Sequence, residues 1–126
     1  LIELGNQLPR FSDEQKKDEW KVPGCQSQVW IIPHYSENGI SFEGDSDAII
    51  VRGIIAVVLE IFKDKSAQEI LDIDVEEIFD KMGLREHITP NRRSGMLSMV
   101  DKIKYYAAQA LKGQNEYSRI SGQKDF

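Results

Sequence analysis

Cysteine is scarce in this sequence, because Cys25 is the only one in 126 residues. A lone thiol excludes an internal disulfide framework and any zinc or iron–sulfur site that takes several thiolates from this chain. Long hydrophobic runs are also missing. The longest aliphatic run covers residues 54–59, far below the ~18 residues of a membrane span. The sequence therefore predicts neither a thiolate metal centre nor a membrane protein.

Positive charge is not in excess either. The chain has 16 lysines and arginines against 21 aspartates and glutamates, a net charge of −5. Because nucleic-acid binding depends on clustered cations, this balance argues against a nucleic-acid partner. Phosphate-binding loops and dinucleotide fingerprints are absent as well. With 40% apolar and 29% charged residues, the chain has the composition of one globular domain.

The two ends of the sequence lead to separate expectations. Residues 1–11 have neither a cationic start nor an apolar segment, so they do not form a signal peptide. The sequence begins with Leu1, which leaves a removed upstream targeting segment open. Residues 113–126 contain few apolar anchors, which predicts a mobile tail. The predicted single domain therefore covers residues 1–112.

The first part of the chain predicts a short helical turn followed by a long loop. Residues 1–5 fit the last turn of a helix, which Gly5 or Asn6 would stop in a left-handed conformation. Residues 8–24 contain two prolines and show no sustained period, which is typical of a loop.

A hairpin is predicted next. Residues 26–33 and 40–43 have strand composition, and the turn signal at residues 37–39 lies between them. Because a two-stranded hairpin is marginal alone, a further strand is expected from residues 17–23.

The period then changes to that of a helix. Asp47 is predicted to cap a central helix that runs to about Lys63 and is apolar on nearly every side. Arg52 and Glu60 are the expected members of its one polar face.

Further caps define three more helices. Ser66 and Asp74 each open a short helix, and Thr89 with Pro90 begins the last one, which Gly113 is predicted to end. The predicted fold class is therefore α+β, a small antiparallel sheet packed against several helices.

Cys25 is the most informative position for function. Free cysteines are often buried and structural. Cys25, however, follows Pro23 and Gly24 and precedes polar residues, which favours a loop tip and a reactive thiol. A reactive thiolate needs cations or amide donors nearby, and no cation is adjacent in sequence. A remote group must therefore fold close, or the thiol stays protonated until a partner supplies charge. The candidate remote groups are Arg92, Arg93, His34 and His87.

Other constellations are weaker. His34 and His87 lack the short spacing of metal ligands, and no family signature of a Cys–His hydrolase is present. The segment from Asp45 to Asp47 could serve acid–base chemistry or a cation, but a turn followed by a helix cap explains it more simply. Arg92 and its neighbour Arg93 lie where the helix dipole disfavours cations, which indicates either function or a surface salt bridge.

Three ordered blocks of sequence closely resemble the SufE family, which comprises sulfur acceptors of cysteine desulfurases in iron–sulfur cluster assembly. Residues 24–30 read GCQSQVW, residues 44–56 read GDSDAIIVRGIIA, and residues 87–96 read HITPNRRSGM. The resemblance spans nearly the whole chain. Two departures are an Arg93 where a small polar residue is common and an N-terminal helix that lies mostly outside this sequence. The resemblance implies a SufE-like fold, which is also similar to that of IscU-type scaffolds.

The resemblance implies a carrier rather than an enzyme. Cys25 would accept sulfur from a persulfide of the desulfurase and pass it to a SufBCD-type cluster scaffold. Gly24, Gln26 and Ser27 would shape the loop that carries this cysteine. No cofactor or metal is implied for this chain, while the partner, a SufS-like or CsdA-like desulfurase, would carry pyridoxal phosphate.

The remaining matched positions concern the loop and the partner. Asp47 and Arg92 match positions that hold the cysteine loop or face the partner, and His87 matches a recurrent position of unknown role. The expected compartment is the cytoplasm, or a plastid if a transit segment was removed. Two other functions stay open on the residues alone, a thiol-dependent enzyme with its own small substrate and a structural adaptor.

Overall fold

The computed structural model describes residues 2–36 and 39–124, apart from the side chains of Ile2, of His87 and of residues from 114 onward. It contains one antiparallel hairpin, five α-helices and two short 3-10 helices, so the predicted α+β class is confirmed. The main elements are α1 (Ile2–Asn6), β1 (Val29–Ser36), β2 (Gly39–Ser46), α2 (Ile49–Phe62), α3 (Ala67–Asp72), α4 (Val75–Lys81) and α5 (Pro90–Lys124).

The predicted hairpin is confirmed, with strand limits that differ from the expected ones. The two strands pair along their whole length, with Val29 opposite Ser46. The first strand therefore begins later than the predicted range 26–33, and the second continues beyond the predicted range 40–43. Of the turn predicted at residues 37–39, the first two residues lie outside the described part of the chain.

The strand expected from residues 17–23 is not formed. Lys21 makes one isolated antiparallel bridge to Trp30, and the Val22 N–H donates to the Val29 carbonyl at 2.8 Å. The chain immediately before this bridge is the 3-10 helix Asp18–Trp20. Because that helix curves the backbone, only a short stretch can lie alongside β1.

Helix α2 is the centre of the core, as predicted. Ile54, Ile55 and Val58 are fully buried in one apolar cluster that also takes side chains from the hairpin and from α5. The predicted polar face is wrong for Arg52, which is only 3% exposed, whereas Glu60 lies at the surface.

The start of α2 also differs from the prediction. The capping position is Ala48, and no side chain caps the helix there. The predicted cap, Asp47, instead accepts the backbone N–H of Gln28 at 3.1 Å through Oδ1. The Asp47 N–H in turn donates to the Gln28 carbonyl at 3.3 Å. The prediction was wrong because another segment of the chain occupies the carboxylate.

The other predicted caps are confirmed. Ser66 accepts the Glu69 N–H and Glu69 reaches back to the Ser66 N–H, which forms a capping box at α3. Asp74 accepts a backbone N–H at the start of α4. Helix α5 begins at Pro90, after Thr89. Local sequence alone therefore located these three helix starts.

The left-handed stop predicted at Gly5 or Asn6 is wrong, since neither residue has a positive φ. Gly5 is buried because α1 packs against α2 at that point. A Cβ on Gly5 would lie 2.7 Å from the backbone nitrogen of Gly53, a separation that real side chains do not adopt. This glycine serves the close approach of two helices rather than a turn.

The predicted end of α5 at Gly113 is also wrong, because its backbone stays helical to Lys124. A glycine inside a helix costs only about 1 kcal/mol relative to alanine, and here it did not stop the helix. The mobility expected for residues 113–126 stays a prediction. Within the described ranges, neither α5 nor another helix combines the length and the apolar character that crossing a bilayer requires.

A buried ion pair joins the hairpin, α2 and the first loop. Asp45 Oδ1 accepts from Arg52 Nε at 2.9 Å, and the two side chains are 2% and 3% exposed. Asp45 Oδ2 accepts the backbone N–H of Phe11 at 2.9 Å, while an Arg52 Nη2–H donates to the Leu8 carbonyl. The loop between α1 and β1 is therefore fixed to the core through charged groups.

Removal of the Arg52 charge should be costly. We expect Arg52→Met to lower the free energy of unfolding by about 3–5 kcal/mol, because Asp45 would remain buried without its counter-charge. The control is Arg85→Met, whose partner Asp80 is exposed and whose loss should cost about 0–1 kcal/mol. Urea unfolding measures both values. Equal losses in the two variants would show that the buried pair contributes no more to the free energy of unfolding than an exposed pair.

Candidate functional site

Cys25 lies half-buried beside a small cavity of about 130 Å³. The cavity is formed by the loop of residues 23–28, called here the cysteine loop, together with the first turns of α2 and α5. Its lining residues are Cys25, Gln26, Ser27, Val29, Ala48, Val51, Ile54, Asn91, Arg92, Gly95 and Met99. Polar groups come from the loop and α5, whereas α2 supplies apolar groups. The lone thiol therefore lies in a pocket with one polar wall and one apolar wall.

The thiol makes a specific contact with α5. Cys25 Sγ donates to the Gly95 carbonyl at 3.6 Å, a distance that suits sulfur. A Cβ on Gly95 would lie 3.5 Å from the same sulfur, so the thiol rests directly on the helix surface. Sequence reasoning missed Gly95. Its signal was a glycine inside a predicted helix, a position that is unfavourable without a packing reason.

Both ends of the cysteine loop are fixed by hydrogen bonds. At one end, Val22 is bonded to Val29, the first residue of β1. At the other end, Gln28 shares two hydrogen bonds with Asp47. Among the described residues, the only hydrogen bond of residues 23–27 is the one from the Cys25 thiol. The loop is therefore held at its ends and lightly held in its middle.

Gly24 allows the loop to turn onto α5. Its φ of +81° lies in the left-handed region that favours glycine. A Cβ on Gly24 would lie 2.9 Å from Ser98 Oγ, closer than real side chains allow. The backbone conformation thus favours glycine, and any side chain at this position would have to displace the Ser98 hydroxyl. Ser98 is a second residue that sequence reasoning missed, and no local pattern marked it.

Of the cations considered for the thiol, the structure brings Arg92 to the cavity. Within the described chain, Arg92 has no salt-bridge partner. Arg93 points elsewhere and donates from Nε and Nη2 to Glu76 at 2.9 and 2.6 Å. His34 pairs with Glu43 at 2.9 Å on the hairpin. His87 belongs to the 3-10 helix Arg85–His87, and its side chain lies outside the described residues.

Burial raises the pKa of the Cys25 thiol above its ordinary value, and no charged group among the described residues offsets this effect. The neutral thiol is therefore the stable form while the cysteine loop rests on α5. Since the thiolate is the nucleophile, the resting arrangement protects Cys25 rather than activating it.

Outside the thiol cavity, the described residues form a larger groove but no cluster of metal-ligating side chains. In the part of the chain that the structure describes, no three side chains of the metal-ligating types come together. A larger groove of about 910 Å³ lies between α1, β2 and α2, and it contains none of the predicted site residues. The thiol and the larger cavity are therefore separate features.

The fold and the site define a small α+β domain that presents one protected thiol on a loop. Residues 1–107 match the sequence model of SufE, described as an Fe-S metabolism associated domain. The chain belongs to the SufE family, as the three sequence blocks predicted, and is thereby associated with iron–sulfur metabolism.

Individual relatives agree with this assignment. The chain is 50% identical over 108 residues to an uncharacterised SufE-like protein of Rhizobium etli, which covers 82% of this chain and 73% of the relative. It is 46% identical over 108 residues to another of Rhizobium meliloti, at 82% and 77% coverage. The solution structure of a hypothetical protein from Thermus thermophilus is similar with a TM-score of 0.72 over 88% of this chain and 81% of that one. At 17% identity, this last likeness supports the fold alone.

The raised pKa of the Cys25 thiol predicts a shifted pH profile of alkylation. We expect the rate of reaction with iodoacetamide to rise at higher pH in the folded protein than in the urea-unfolded chain, because unfolding removes the burial. A folded midpoint at or below the unfolded one would mean that a cation already stabilises the thiolate.

The same shift links pH to stability. Because the folded state holds the thiol proton more tightly, the stabilisation is complete below the unfolded pKa and is lost as pH rises through the folded pKa. Cys25→Ser should lack this alkaline loss, which urea unfolding across that pH range would measure.

Proposed function

We propose that this chain accepts sulfur from a cysteine desulfurase onto Cys25, stimulates the desulfurase and passes the sulfur to an iron–sulfur cluster scaffold. The observation that carries the proposal is a lone thiol on a loop that is fixed at both ends and attached in its middle through the thiol itself. Release of the thiol from Gly95 and from its apolar neighbours would free the reactive atom while both ends of the loop stay fixed.

The transfer step is an exchange between a thiolate and a persulfide. The Cys25 thiolate attacks the outer sulfur of the desulfurase persulfide, the sulfur–sulfur bond breaks, and the desulfurase cysteine leaves as a thiolate. Cys25 then carries the persulfide, whose outer sulfur is open to attack by a thiolate of the scaffold. The thiol proton must leave first, so both thiolate fraction and access determine the rate.

The cysteine count supports a carrier. The chain has no second cysteine, so a persulfide on Cys25 cannot be resolved as an internal disulfide. The step needs no cofactor on this chain, and the pyridoxal phosphate of the reaction would belong to the desulfurase. The cytoplasm, or a plastid, stays the proposed compartment.

The surroundings of the thiol offer a surface for the desulfurase. Gln26 is exposed beside Cys25, and Ile49 at the start of α2 is 43% exposed. Arg92 adds a positive charge on the α5 side of the cavity. Exposed apolar side chains and charged ones both occur in transient interfaces, the apolar ones at the core and the charged ones at the rim.

Nothing in the site favours the alternative of a thiol-dependent enzyme. Pockets for small substrates usually enclose about 300–1,000 Å³, whereas the cavity at Cys25 has about 130 Å³. The groove of suitable size lies away from the thiol.

The central test is loading by a desulfurase. On incubation with a cysteine desulfurase and cysteine without reductant, we expect intact-protein mass spectrometry to find one added sulfur atom on Cys25. We also expect a faster desulfurase turnover. Cys25→Ser should abolish both effects. Stimulation by Cys25→Ser at the wild-type level would instead identify an adaptor, and a wild-type chain that gains no sulfur would contradict the carrier.

The adjacent arginines provide a matched pair of variants. We expect Arg92→Gln to lower the rate of sulfur loading roughly tenfold, which corresponds to about 1.4 kcal/mol of activation free energy, because the variant loses the positive charge at the edge of the thiol cavity while the fold is kept. Arg93→Gln should leave loading unchanged and lower stability by about 1 kcal/mol or less, since its pair with Glu76 is partly exposed. Single-turnover loading and urea unfolding measure the two effects. Equal loading by both variants would remove Arg92 from the site.

A further inference from the structure

The middle of the cysteine loop rests on α5 at two points. Cys25 Sγ contacts the carbonyl of Gly95, and Gly24 lies over the hydroxyl of Ser98. Residues 95 and 98 are three apart, which places them on the same face of the helix, one turn from each other. The two contacts together form the seat of the loop.

The hydroxyl of Ser98 is itself held in place. Ser98 Oγ donates to the Ser94 carbonyl at 3.1 Å, one turn back along α5. In this rotamer, Ser98 Oγ would lie 2.9 Å, and Ser98 Cβ 3.8 Å, from a Cβ placed on Gly24. A larger side chain at position 98 would therefore have to point away from Gly24 or displace it.

We infer that Ser98 is a positioning residue, whose side-chain size sets how deeply the cysteine loop seats on α5 and hence how readily Cys25 is exposed. This inference deepens the proposed function and rests on it for its biological meaning. Its physical content concerns the free protein alone. A larger residue lifts Gly24, breaks the contact between Cys25 and Gly95, and brings the thiol toward solvent.

Isoleucine at position 98 is the sharpest probe. A β-branched side chain is stiff and carries two γ atoms, so isoleucine fills two of the three staggered positions at Cβ where serine fills one. Ser98→Ala removes only the hydroxyl and should leave the loop seated. The control for the helix itself is Ala108→Ile, at an exposed position of α5 that does not line the thiol cavity.

The experiment measures alkylation of Cys25 by iodoacetamide near neutral pH in the absence of any partner. We expect Ser98→Ile to react about fivefold faster than the wild type or more, because overpacking of a close contact destabilises the seated position of the loop. Its pH midpoint should also move down toward that of the unfolded chain, because the thiol loses burial. Ser98→Ala and Ala108→Ile should keep the wild-type rate and midpoint.

Circular dichroism and thermal melting establish that each variant is folded. If Ser98→Ile does not fold, Ser98→Thr adds a single methyl group and should change the rate in the same direction by a smaller factor. A folded Ser98→Ile or Ser98→Thr with the wild-type rate and midpoint would overturn the inference, as would equal acceleration in Ala108→Ile.

Loading by a desulfurase separates this inference from the proposed function. At low desulfurase concentration, Ser98→Ile should gain sulfur faster than the wild type. A wild type that gains no sulfur, together with faster alkylation of Ser98→Ile, would contradict the proposed sulfur transfer and leave the inference about Ser98 standing. A wild type that loads normally, together with unchanged alkylation in Ser98→Ile, would contradict the inference about Ser98 alone.

Discussion

Two carboxylates at the end of β2 fix the geometry on which the thiol site depends. Asp45 is buried, and its pairing with Arg52 joins the hairpin to the central helix while it also holds the backbone of Phe11. Asp47 holds the end of the cysteine loop through Gln28. Because Asp45 is buried, it needs its counter-charge. Asp47 is exposed, and it accepts the Gln28 N–H just beyond the last residue pair of the hairpin. Together these contacts hold the loops on both sides of the hairpin end in place, so that the middle of the cysteine loop can lie on α5.

The site shields the Cys25 thiol while few polar contacts hold the middle of its loop. Burial keeps the Cys25 thiol neutral, and thus unreactive, while the loop is seated on Gly95. Among the described residues, a single hydrogen bond, from the thiol, holds the middle of the loop, so a partner that competes for that region has few polar contacts to break. This arrangement suits a group that must react with one protein and be shielded from others. A conventional active site differs, because its nucleophile is activated at rest by a fixed base or cation.

Helix α5 divides its roles around its circumference. Gly95 and Ser98 form the seat of the cysteine loop, and Arg92 lies at the edge of the same cavity. The next residue, Arg93, lies about 100° further round the helix and pairs with Glu76 of α4. Two identical side chains adjacent in sequence therefore have different surroundings, the thiol cavity for Arg92 and a carboxylate of α4 for Arg93. Both arginines lie within the segment that matches the family model, and only their surroundings in the structure distinguish them.

Local sequence determined the features that depend on neighbouring residues: the caps at Ser66 and Asp74, the start of α5 at Pro90, the hairpin, and the loop character of the segment around Cys25. Capping, turn formation and the alternation of apolar residues act within a few positions of the chain, so they can be predicted from the sequence alone. Tertiary structure alone decided that Asp47 bonds a loop instead of capping α2 and that Gly95 faces the thiol. The same holds for the burial of Arg52 with its counter-charge. Each of these outcomes depends on a contact between segments far apart in sequence, and such contacts exist only after the core has packed.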